Sequence, residues 1–336
     1  MPVLPEETPV LVVNAEKLRE RIRAYQGFGT LYYPVKSNSA REVLALVRES
    51  GCNFLVSCGY YLEKAAAAGV AGDAVLYDNC VAAEDEIAGA LQKGVRLFVT
   101  DSEEQFGVIH RLNPDARFIV KVSSGGASLQ KGKFGLEDFA PLKEKMEKAG
   151  VFAGLSFYIG DSVFSYEVLE RQLAFMAAAA AHTPVLNLGG SLKGLLEDER
   201  IRRLLEKYKA DGFFDGIFLE PGRGLLNPCT EMRTTVKRLR ILNGERRVHV
   251  DASIYSGLMD VYIEHKDLKM RAGSGIHDTF CHVYGSTSDS ADFLGTPLLP
   301  GSLKEGDVIT IADCGAYSWD ITCVYSGARP LRIRVT

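Results

Sequence analysis

The chain has 336 residues, of which 46% are hydrophobic, and its formal net charge is −4. These values predict a globular protein with a large core and room for two domains. No basic stripe suggests nucleic-acid binding, and no apolar run approaches the ~20 residues that a membrane-spanning helix needs. Residues 1–8 lack the basic start and apolar core of a signal peptide, and the seven cysteines form no CxxC pair. We therefore expect a cytoplasmic protein with reduced thiols and no metal site.

From residue 30 onward, apolar runs alternate with amphipathic helical stretches. The predicted strands, apolar on both faces, are 31–35, 53–57, 74–77, 96–100, 117–122, 154–159, 185–188 and 217–219. The predicted helices between them are 40–49, 61–68, 83–92, 103–111, 166–181 and 197–209. Strands that are separated by helices pair in parallel. This alternation therefore favours a closed (β/α)8 barrel over an open sheet.

After residue 223 the pattern changes to short β-rich segments with turn signals such as Asn243-Gly244 and Pro300-Gly301. The predicted strands are 234–242, 247–250, 308–312 and 331–335. The apolar stretch at residues 10–13 could add one strand to them. We expect an α/β protein with a (β/α)8 barrel over residues 25–232. Residues 1–24 and 233–336 would form an all-β domain that includes the N-terminal strand.

Two segments at the ends of predicted strands carry candidate chemistry. Lys36 ends the first barrel strand, and a lysine there can lose its proton by desolvation and attack an aldehyde. Glu220-Pro221-Gly222-Arg223 ends the eighth: Arg223 is a bidentate phosphate ligand, and Gly222 lets a phosphate approach the backbone. Active groups of such barrels lie at the carboxyl ends of the strands, with phosphate near strands seven and eight. An aldehyde, a phosphate and a ring nitrogen that pairs with Glu220 together indicate pyridoxal 5′-phosphate (PLP).

Six motifs, in the same order along the chain, resemble those of the fold-type III PLP-dependent decarboxylases, the group of ornithine, diaminopimelate and arginine decarboxylases. They are Pro34-Val35-Lys36-Ser37-Asn38, Ser156-Phe157-Tyr158-Ile159-Gly160, Asn187-Leu188-Gly189-Gly190-Ser191, Glu220-Pro221-Gly222-Arg223, Gly285-Ser286-Thr287-Ser288-Asp289-Ser290-Ala291-Asp292 and Gly315-Ala316-Tyr317. The resemblance covers nearly the whole chain. It implies an alanine-racemase-like barrel with a β domain, and PLP bound to Lys36 as a Schiff base. It also implies phosphate contacts from Gly190, Ser191, Gly222, Arg223 and Tyr317.

Some residues depart from the family pattern. Tyr158 stands where the family has a histidine that stacks on the pyridine ring, and Ser288 stands where it has a catalytic cysteine. Tyr158 keeps an aromatic face without a titratable imidazole, and Ser288 keeps a hydroxyl without the acidity of a thiol. The family's carboxylate after its second strand is absent, since Leu55 and Tyr61 occupy that apolar region. By resemblance, Ser288 and Asp289 act across a two-fold homodimer with shared active sites.

The candidate residues also have purely structural interpretations. The barrel order favours a functional role for Lys36, Arg223 and Glu220 over a solvated lysine, a surface ion pair and a buried amide partner. Asp251 aligns with a substrate-contact aspartate of the family, and a turn aspartate is the alternative. An ordinary core or turn residue stays the alternative for Tyr158, Tyr317, Ser288, Asp289 and the Gly189-Gly190 turn.

We expect PLP-dependent decarboxylation of an amino acid, with Glu220 keeping the ring nitrogen protonated so that the ring accepts electrons. Asp289 and Asp292 favour a basic amino acid or a diamino acid as substrate. An amino-acid conjugate of siderophore or other secondary metabolism is the alternative. Two other functions stay open. One is an amino-acid racemase of the same fold, against which Glu220 counts. The other is a catalytically inactive regulatory homologue, for which Tyr158 and Ser288 count and against which the retained Lys36 and Arg223 count.

Overall fold

The structure, a computed structural model, describes residues 7–123, 133–160, 164–190, 192, 195–260 and 267–336. The chain divides into a barrel unit, made of Glu20–Lys36 and Leu44–Gly222, and a β unit, made of Met1–Arg19, Ser37–Val43 and Arg223–Thr336. The change of unit lies at residue 223 rather than at the expected 233, and residues 37–43 group with the β unit. No helix of the described ranges is long and apolar enough to cross a bilayer.

Eight parallel strands close the barrel, and they follow one another around it in chain order. After β1 (Val10–Val13), which belongs to the β unit, they are β2 (Thr30–Pro34), β3 (Asn53–Val56), β4 (Val75–Asp78), β5 (Leu97–Thr100), β6 (Arg117–Lys121), β7 (Phe152–Ser156), β8 (Thr183–Asn187) and β9 (Phe214–Leu219). Strand β9 pairs with β2, which closes the ring. Each predicted barrel strand overlaps one of these, and the (β/α)8 barrel is confirmed.

The helices begin and end at local signals in the sequence. They are α1 (Ala15–Gln26), α2 (Arg41–Glu49), α3 (Gly59–Ala67), α4 (Glu84–Gln92), α5 (Glu103–Leu112), α6 (Ala140–Lys148), α7 (Tyr166–Ala179), α8 (Glu199–Ala210) and α9 (Arg223–Leu226). Ser102, Ser165 and Asp198 cap α5, α7 and α8, because each side chain accepts a hydrogen bond from a backbone N–H of the first turn. Each predicted helix overlaps one of these elements, whereas α1, α6 and α9 were not predicted.

Apolar side chains from six neighbouring barrel strands form one buried cluster, which includes Leu76 of β4 and Ile119 of β6. Side chains alternate along a strand, so residues two apart point the same way. Asp78 follows Leu76 by two residues, and Lys121 follows Ile119 by two. Charged groups therefore lie one layer above the apolar cluster, at the carboxyl end of the barrel.

A nine-stranded mixed sheet forms the β unit. Besides β1 it contains β10 (Thr230–Leu242), β11 (Glu245–Val250), β12 (Lys269–Ala272), β13 (His277–Tyr284), β14 (Phe293–Gly295), β15 (Leu298–Pro300), β16 (Val308–Ala312) and β17 (Arg332–Val335). Strand β1 pairs antiparallel with β10 and parallel with β17, as expected for an N-terminal strand that joins the β domain. Met232, Val236 and Ile309 contribute to its core. The strands β12 to β15 were not predicted.

Candidate active site

Lys36 follows β2 at the carboxyl end of the barrel, within a short 3-10 turn. Residues 31–35 and 37–40 are buried, whereas Lys36 is exposed. Lys36 is therefore exposed to solvent, contrary to the desolvation expected from the sequence. An exposed amine on a buried backbone is accessible to a ligand and fixed at its base.

The backbone after Lys36 is held by hydrogen bonds within the β unit. The carbonyl of Ser37 accepts a hydrogen bond from the Tyr317 N–H at 2.7 Å. The N–H and the hydroxyl of Ser39 donate to the two carboxylate oxygens of Asp320, at 2.9 and 2.5 Å. Hydrogen bonds to a charged carboxylate are stronger than neutral ones. The segment that contains Tyr317 therefore fixes the chain next to the lysine.

Glu220 is a buried carboxylate after β9, with 7% of its surface exposed. The side-chain amide of Asn187 donates to Oε1 at 2.6 Å, and no described residue donates to Oε2. Burial raises the pKa of Glu220 to about 7, and Asp78 adds to the increase. The Asn187 hydrogen bond and the positive charges of Lys121 and Lys36 act in the opposite direction. One oxygen of this carboxylate thus remains able to bind a ring nitrogen.

A glycine turn lies between β8 and the following segment. Gly189 has a φ of 64°, and a Cβ there would lie 2.5 Å from the carbonyl oxygen of Phe157, so only glycine fits. A Cβ at Gly190 would lie 3.8 Å from the ring of Tyr158, which is half-buried beside the turn. Ser191, the next expected phosphate contact, lies outside the described residues. The Gly189 N–H donates to Asn187 Oδ1 at 3.0 Å, and a turn without side chains that presents the N–H of Gly190 suits a phosphate.

Two charged residues at the same end of the barrel were missed from sequence. The Lys121 ammonium donates to both carboxylate oxygens of Asp78 at 2.8 Å, and these side chains are 11% and 13% exposed. Burial alone would lower the pKa of Lys121, but the Asp78 carboxylate raises it above the ordinary lysine value. The sequence signal that could have identified them is strand alternation: Asp78 lies two residues after Leu76, and Lys121 lies two residues after Ile119, so each points the same way as an apolar side chain of the barrel interior.

Arg223 and Tyr317, both expected to bind phosphate, lie together in the β unit. The guanidinium carbon of Arg223 is 4.7 Å from the centre of the Tyr317 ring. Its Nε and Nη2 donate to the carboxylate of Asp260 at 3.0 and 2.9 Å, which is a bidentate ion pair. Gly222, which precedes Arg223, is buried. A guanidinium has five N–H donors, so a phosphate contact stays a prediction beside this ion pair.

Ser288 and Asp289 lie in the loop between β13 and β14. Ser288 is exposed, and its hydroxyl is 2.9 Å from that of Ser326. The Asp289 carboxylate accepts hydrogen bonds from the Ala291 N–H at 2.9 Å and from the Tyr255 hydroxyl at 2.8 Å. These hydrogen bonds, the backbone one foremost, lower the pKa of Asp289. Neither carboxylate oxygen is engaged with the Ser288 hydroxyl.

The carboxylate of Asp251 is engaged in hydrogen bonds within the β unit. Asp251 is 2% exposed, and its carboxylate accepts hydrogen bonds from Thr8 Oγ1 at 2.7 Å, Thr234 Oγ1 at 2.8 Å and the Thr235 N–H at 2.9 Å. A buried carboxylate that is satisfied in this way stabilises the β unit. We therefore leave Asp251 out of the proposed substrate contacts.

Asp292, which helped to favour a basic substrate, is likewise buried and 2% exposed. Its carboxylate accepts hydrogen bonds from Ser253, from the backbone of Ile254 and from Thr287. This pattern fixes the start of the loop that carries Ser288. Asp289 is then the residue of this loop on which the argument for a basic substrate rests.

The comparison with known families identifies the chain. Residues 15–225 match the family described as pyridoxal-dependent decarboxylase, pyridoxal binding domain. The chain belongs to this family. The expected cofactor, PLP, and the expected reaction class, amino-acid decarboxylation, are thereby confirmed.

Relatives of this decarboxylase family align over most of the chain. The ornithine decarboxylase of Schizosaccharomyces pombe is 26% identical, over 90% of this chain and 76% of its own. The diaminopimelate decarboxylase of Neisseria meningitidis is 25% identical, over 95% and 85%. Antizyme inhibitor 2 of Xenopus laevis is 26% identical, over 88% and 73%. In fold, the chain is similar to the arginine decarboxylase of Paramecium bursaria Chlorella virus, with a TM-score of 0.87 and 20% identity over 99% and 97% of the two chains.

The residues of the barrel unit fit the cofactor of this family. PLP supplies an aldehyde that condenses with an amine and a ring that accepts electrons from a breaking bond. Lys36 offers an exposed amine, and the free oxygen of buried Glu220 can hold a protonated ring nitrogen. The N–H of Gly190 has no acceptor in the described part of the chain, which leaves it available to a phosphate.

Proposed function

We propose that this decarboxylase acts on a basic amino acid or a diamino acid and uses Lys36 to hold PLP covalently. The observation that carries the proposal is the placement of Lys36 and Glu220 after β2 and β9, two strands that pair directly. The charge of Lys36 is close enough to act on the pKa of Glu220. The substrate class is supported by the names of the relatives, which specify ornithine and diaminopimelate. Amino-acid conjugates remain the alternative substrates.

Each residue has a proposed task. Lys36 would hold the cofactor aldehyde covalently, and Glu220 would keep a proton on the ring nitrogen, so that the cofactor could supply a ring that accepts electrons. Tyr158 would cover one face of the ring. Ser288, water or Lys36 would return a proton to the substrate carbon. By resemblance to the family, Gly190, Ser191, Gly222, Arg223 and Tyr317 would contact the phosphate.

The test is the variant Lys36→Ala. Borohydride reduction of wild-type protein, followed by digestion and mass spectrometry, should find the cofactor on the Lys36 peptide. Lys36→Ala should lack this adduct and the visible absorption of bound cofactor, whereas Lys209→Ala, at an exposed lysine of α8, should keep both. An adduct that persists in Lys36→Ala would overturn the assignment.

A second candidate is a catalytically inactive regulatory protein. The replacements at Tyr158 and Ser288 and the similarity to antizyme inhibitor 2 favour it. Such a protein would show no visible band that borohydride abolishes. A racemase is disfavoured, because Glu220 keeps the ring protonated as a strong electron acceptor. A racemase would remove the optical activity of an amino acid without releasing CO2.

We also propose a homodimer in which Ser288 and Asp289 reach the partner's active site. Support comes from the resemblance and from exposed apolar side chains beside Ser288. Val324 and Tyr325, which precede its hydrogen-bond partner Ser326, are 71% and 55% exposed. Exposed apolar groups that cluster in this way mark interaction surfaces. A cytoplasmic location is proposed as well, supported by free cysteines throughout the described residues.

A further inference from the structure

Glu220 lies within reach of three charged side chains from other parts of the barrel. Asp78 ends β4, Lys121 ends β6, and Lys36 follows β2. All three act on the pKa of Glu220: Asp78 raises it, and the two lysines lower it. Only one of these side chains, Lys121, is both buried and held by an ion pair at 2.8 Å. The Asp78–Lys121 ion pair therefore fixes the position of one of the two positive charges that act on Glu220.

A buried ammonium needs a carboxylate, because an unpaired charge in a low-dielectric interior is very unfavourable. Lys121 has Asp78 as its partner, with both carboxylate oxygens engaged. Glu220 is the other carboxylate whose charge acts on Lys121. Without Asp78, Glu220 would be the remaining carboxylate that acts on the Lys121 charge.

We propose that Asp78 is a positioning residue that holds the Lys121 ammonium and so keeps Glu220 free for the pyridine nitrogen of the cofactor. The inference rests on the proposed role of Glu220. Asp78 is not proposed to touch the ring or the substrate. It acts through the lysine that it binds.

The other groups that face this cluster are a tyrosine and a thiol with raised pKa values, one carboxylate and one neutral amide. Burial raises the pKa of Tyr32, on β2, to about 12, and burial also raises the pKa of the Cys80 thiol, after β4. Asp101, after β5 and near Cys80, accepts a hydrogen bond from the Gly135 N–H at 2.8 Å. The contribution of β8 is the neutral amide of Asn187. The protonation of Glu220 should thus follow the Asp78–Lys121 pair and Lys36.

Removing Asp78 and removing Lys121 should therefore shift the pKa of Glu220 in opposite directions. Asp78→Asn removes a negative charge and releases Lys121 toward Glu220, so the pKa of Glu220 should fall. Lys121→Met leaves Asp78 uncompensated, so the pKa of Glu220 should rise. The double variant restores neutrality and should return the pKa toward the wild-type value. If the ion pair only stabilised the barrel, the two single variants would not shift the pKa of Glu220 in opposite directions.

The experiment is an infrared pH titration of the protonated carboxyl band in protein stripped of cofactor. Glu220→Gln identifies the band, because it alone should remove it. We expect midpoints displaced by about one pH unit or more, downward in Asp78→Asn and upward in Lys121→Met. Equal midpoints in all variants, or displacements of the same sign, would overturn the proposal. If a neutral variant does not fold, Asp78→Glu or Lys121→Arg, which keep the charges, replaces it in the titration.

A second readout is the affinity for PLP, measured by spectroscopic titration of the same proteins. Asp78→Asn and Lys121→Met should each bind PLP about tenfold more weakly near pH 7, which corresponds to one pKa unit, and the double variant should recover. Unchanged affinity in both single variants, together with unchanged infrared midpoints, would contradict the proposal. The infrared titration needs no cofactor. Opposite displacements with unchanged PLP affinity would therefore show that the ring nitrogen does not use Glu220, which is a failure of the proposed function.

Discussion

At the scale of single residues, Glu220 links the stability of the cofactor-free protein to pH. Its pKa is raised from the ordinary 4.5 to about 7, so the folded state holds a proton that the unfolded state releases. The stabilisation from this proton is complete below pH 4.5 and is lost as the pH rises through 7. One proton changes the free energy of unfolding by at most about 1.4 kcal/mol per pH unit.

The variant Glu220→Gln should remove this dependence. Thermal denaturation of the cofactor-free protein should show that wild-type stability falls between pH 4.5 and 7 relative to Glu220→Gln, with parallel curves above that range. Because bound PLP would supply a positive ring nitrogen, the holoenzyme should show a smaller difference. Parallel curves of wild type and variant from pH 4.5 to 7 would refute the raised pKa.

Ser288 is the residue for which the family's chemistry transfers least. A serine hydroxyl is a far weaker acid than a thiol, whose ordinary pKa is ~8.5. Its partner is the Ser326 hydroxyl, and the Asp289 carboxylate is bonded to Tyr255 and Ala291 instead. No base among these contacts activates the hydroxyl.

We therefore expect Ser288→Ala to keep most of the decarboxylation rate, within about tenfold of wild type, because general acid catalysis supplies ~10²–10⁴-fold where it operates. Steady-state CO2 release at saturating substrate measures this. Ser288→Cys should give more amine product per CO2, since the thiol returns the proton more readily. A hundredfold loss in Ser288→Ala, with PLP bound and the assembly intact, would instead assign the proton transfer to this hydroxyl.

At the scale of elements, the turn after β2 depends on a distant loop. Asp320 accepts two hydrogen bonds from Ser39, three residues after Lys36. Removing the carboxylate leaves the Ser39 N–H unpaired, and an unsatisfied buried donor costs about 1–3 kcal/mol. Asp320→Ala should therefore lower the free energy of unfolding by about 1–3 kcal/mol in urea denaturation.

Asp320→Asn keeps one acceptor oxygen and should lose less stability than Asp320→Ala. Because the turn carries Lys36, both variants should also bind PLP more weakly, in the same order. If Asp320→Ala denatures at the same urea concentration as wild type, the turn is held by its other contacts, among them the Tyr317 N–H to the Ser37 carbonyl.

Most of the barrel strands could be predicted because they are short runs buried on both faces, as Phe54, Leu55 and Val56 of β3 are. Strand β13 could not, since its first half is polar and its Phe280 side chain is 67% exposed. Its apolar pattern therefore does not alternate cleanly.

The site residues also fall into those that the sequence could predict and those that it could not. Lys36 and Glu220 are recognisable because their motifs are local in sequence. The partners of other acids are remote: Thr8 is 243 positions from Asp251, and Asp78 is 43 positions from Lys121. Sequence alone therefore could not separate Asp251, which the fold satisfies, from an acid that binds substrate. It also could not pair Asp78 with Lys121, although the period of two placed each of them on the inner face.

At the scale of the whole molecule, the proposed homodimer makes a quantitative prediction. If Ser288 and Asp289 serve the partner's site, Lys36→Ala and Asp289→Ala remove different halves of a shared site. After subunit exchange, an equal mixture of the two weak variants should regain about a quarter of wild-type activity, because half of the dimers carry one intact site. Light scattering should give twice the monomer mass. Exchange without recovery of activity would place Asp289 outside the shared site.

Release of carboxyl-labelled CO2 from ornithine, lysine, arginine and diaminopimelate by the PLP-loaded protein tests the proposed reaction and its substrate class together. At least one of these substrates should yield CO2 and the matching amine in equal amounts. Lys36→Ala should abolish the release, and Lys209→Ala should not. Absence of CO2 from all four with PLP bound would contradict the proposed substrate class. CO2 release that survives in Lys36→Ala would contradict the mechanism itself.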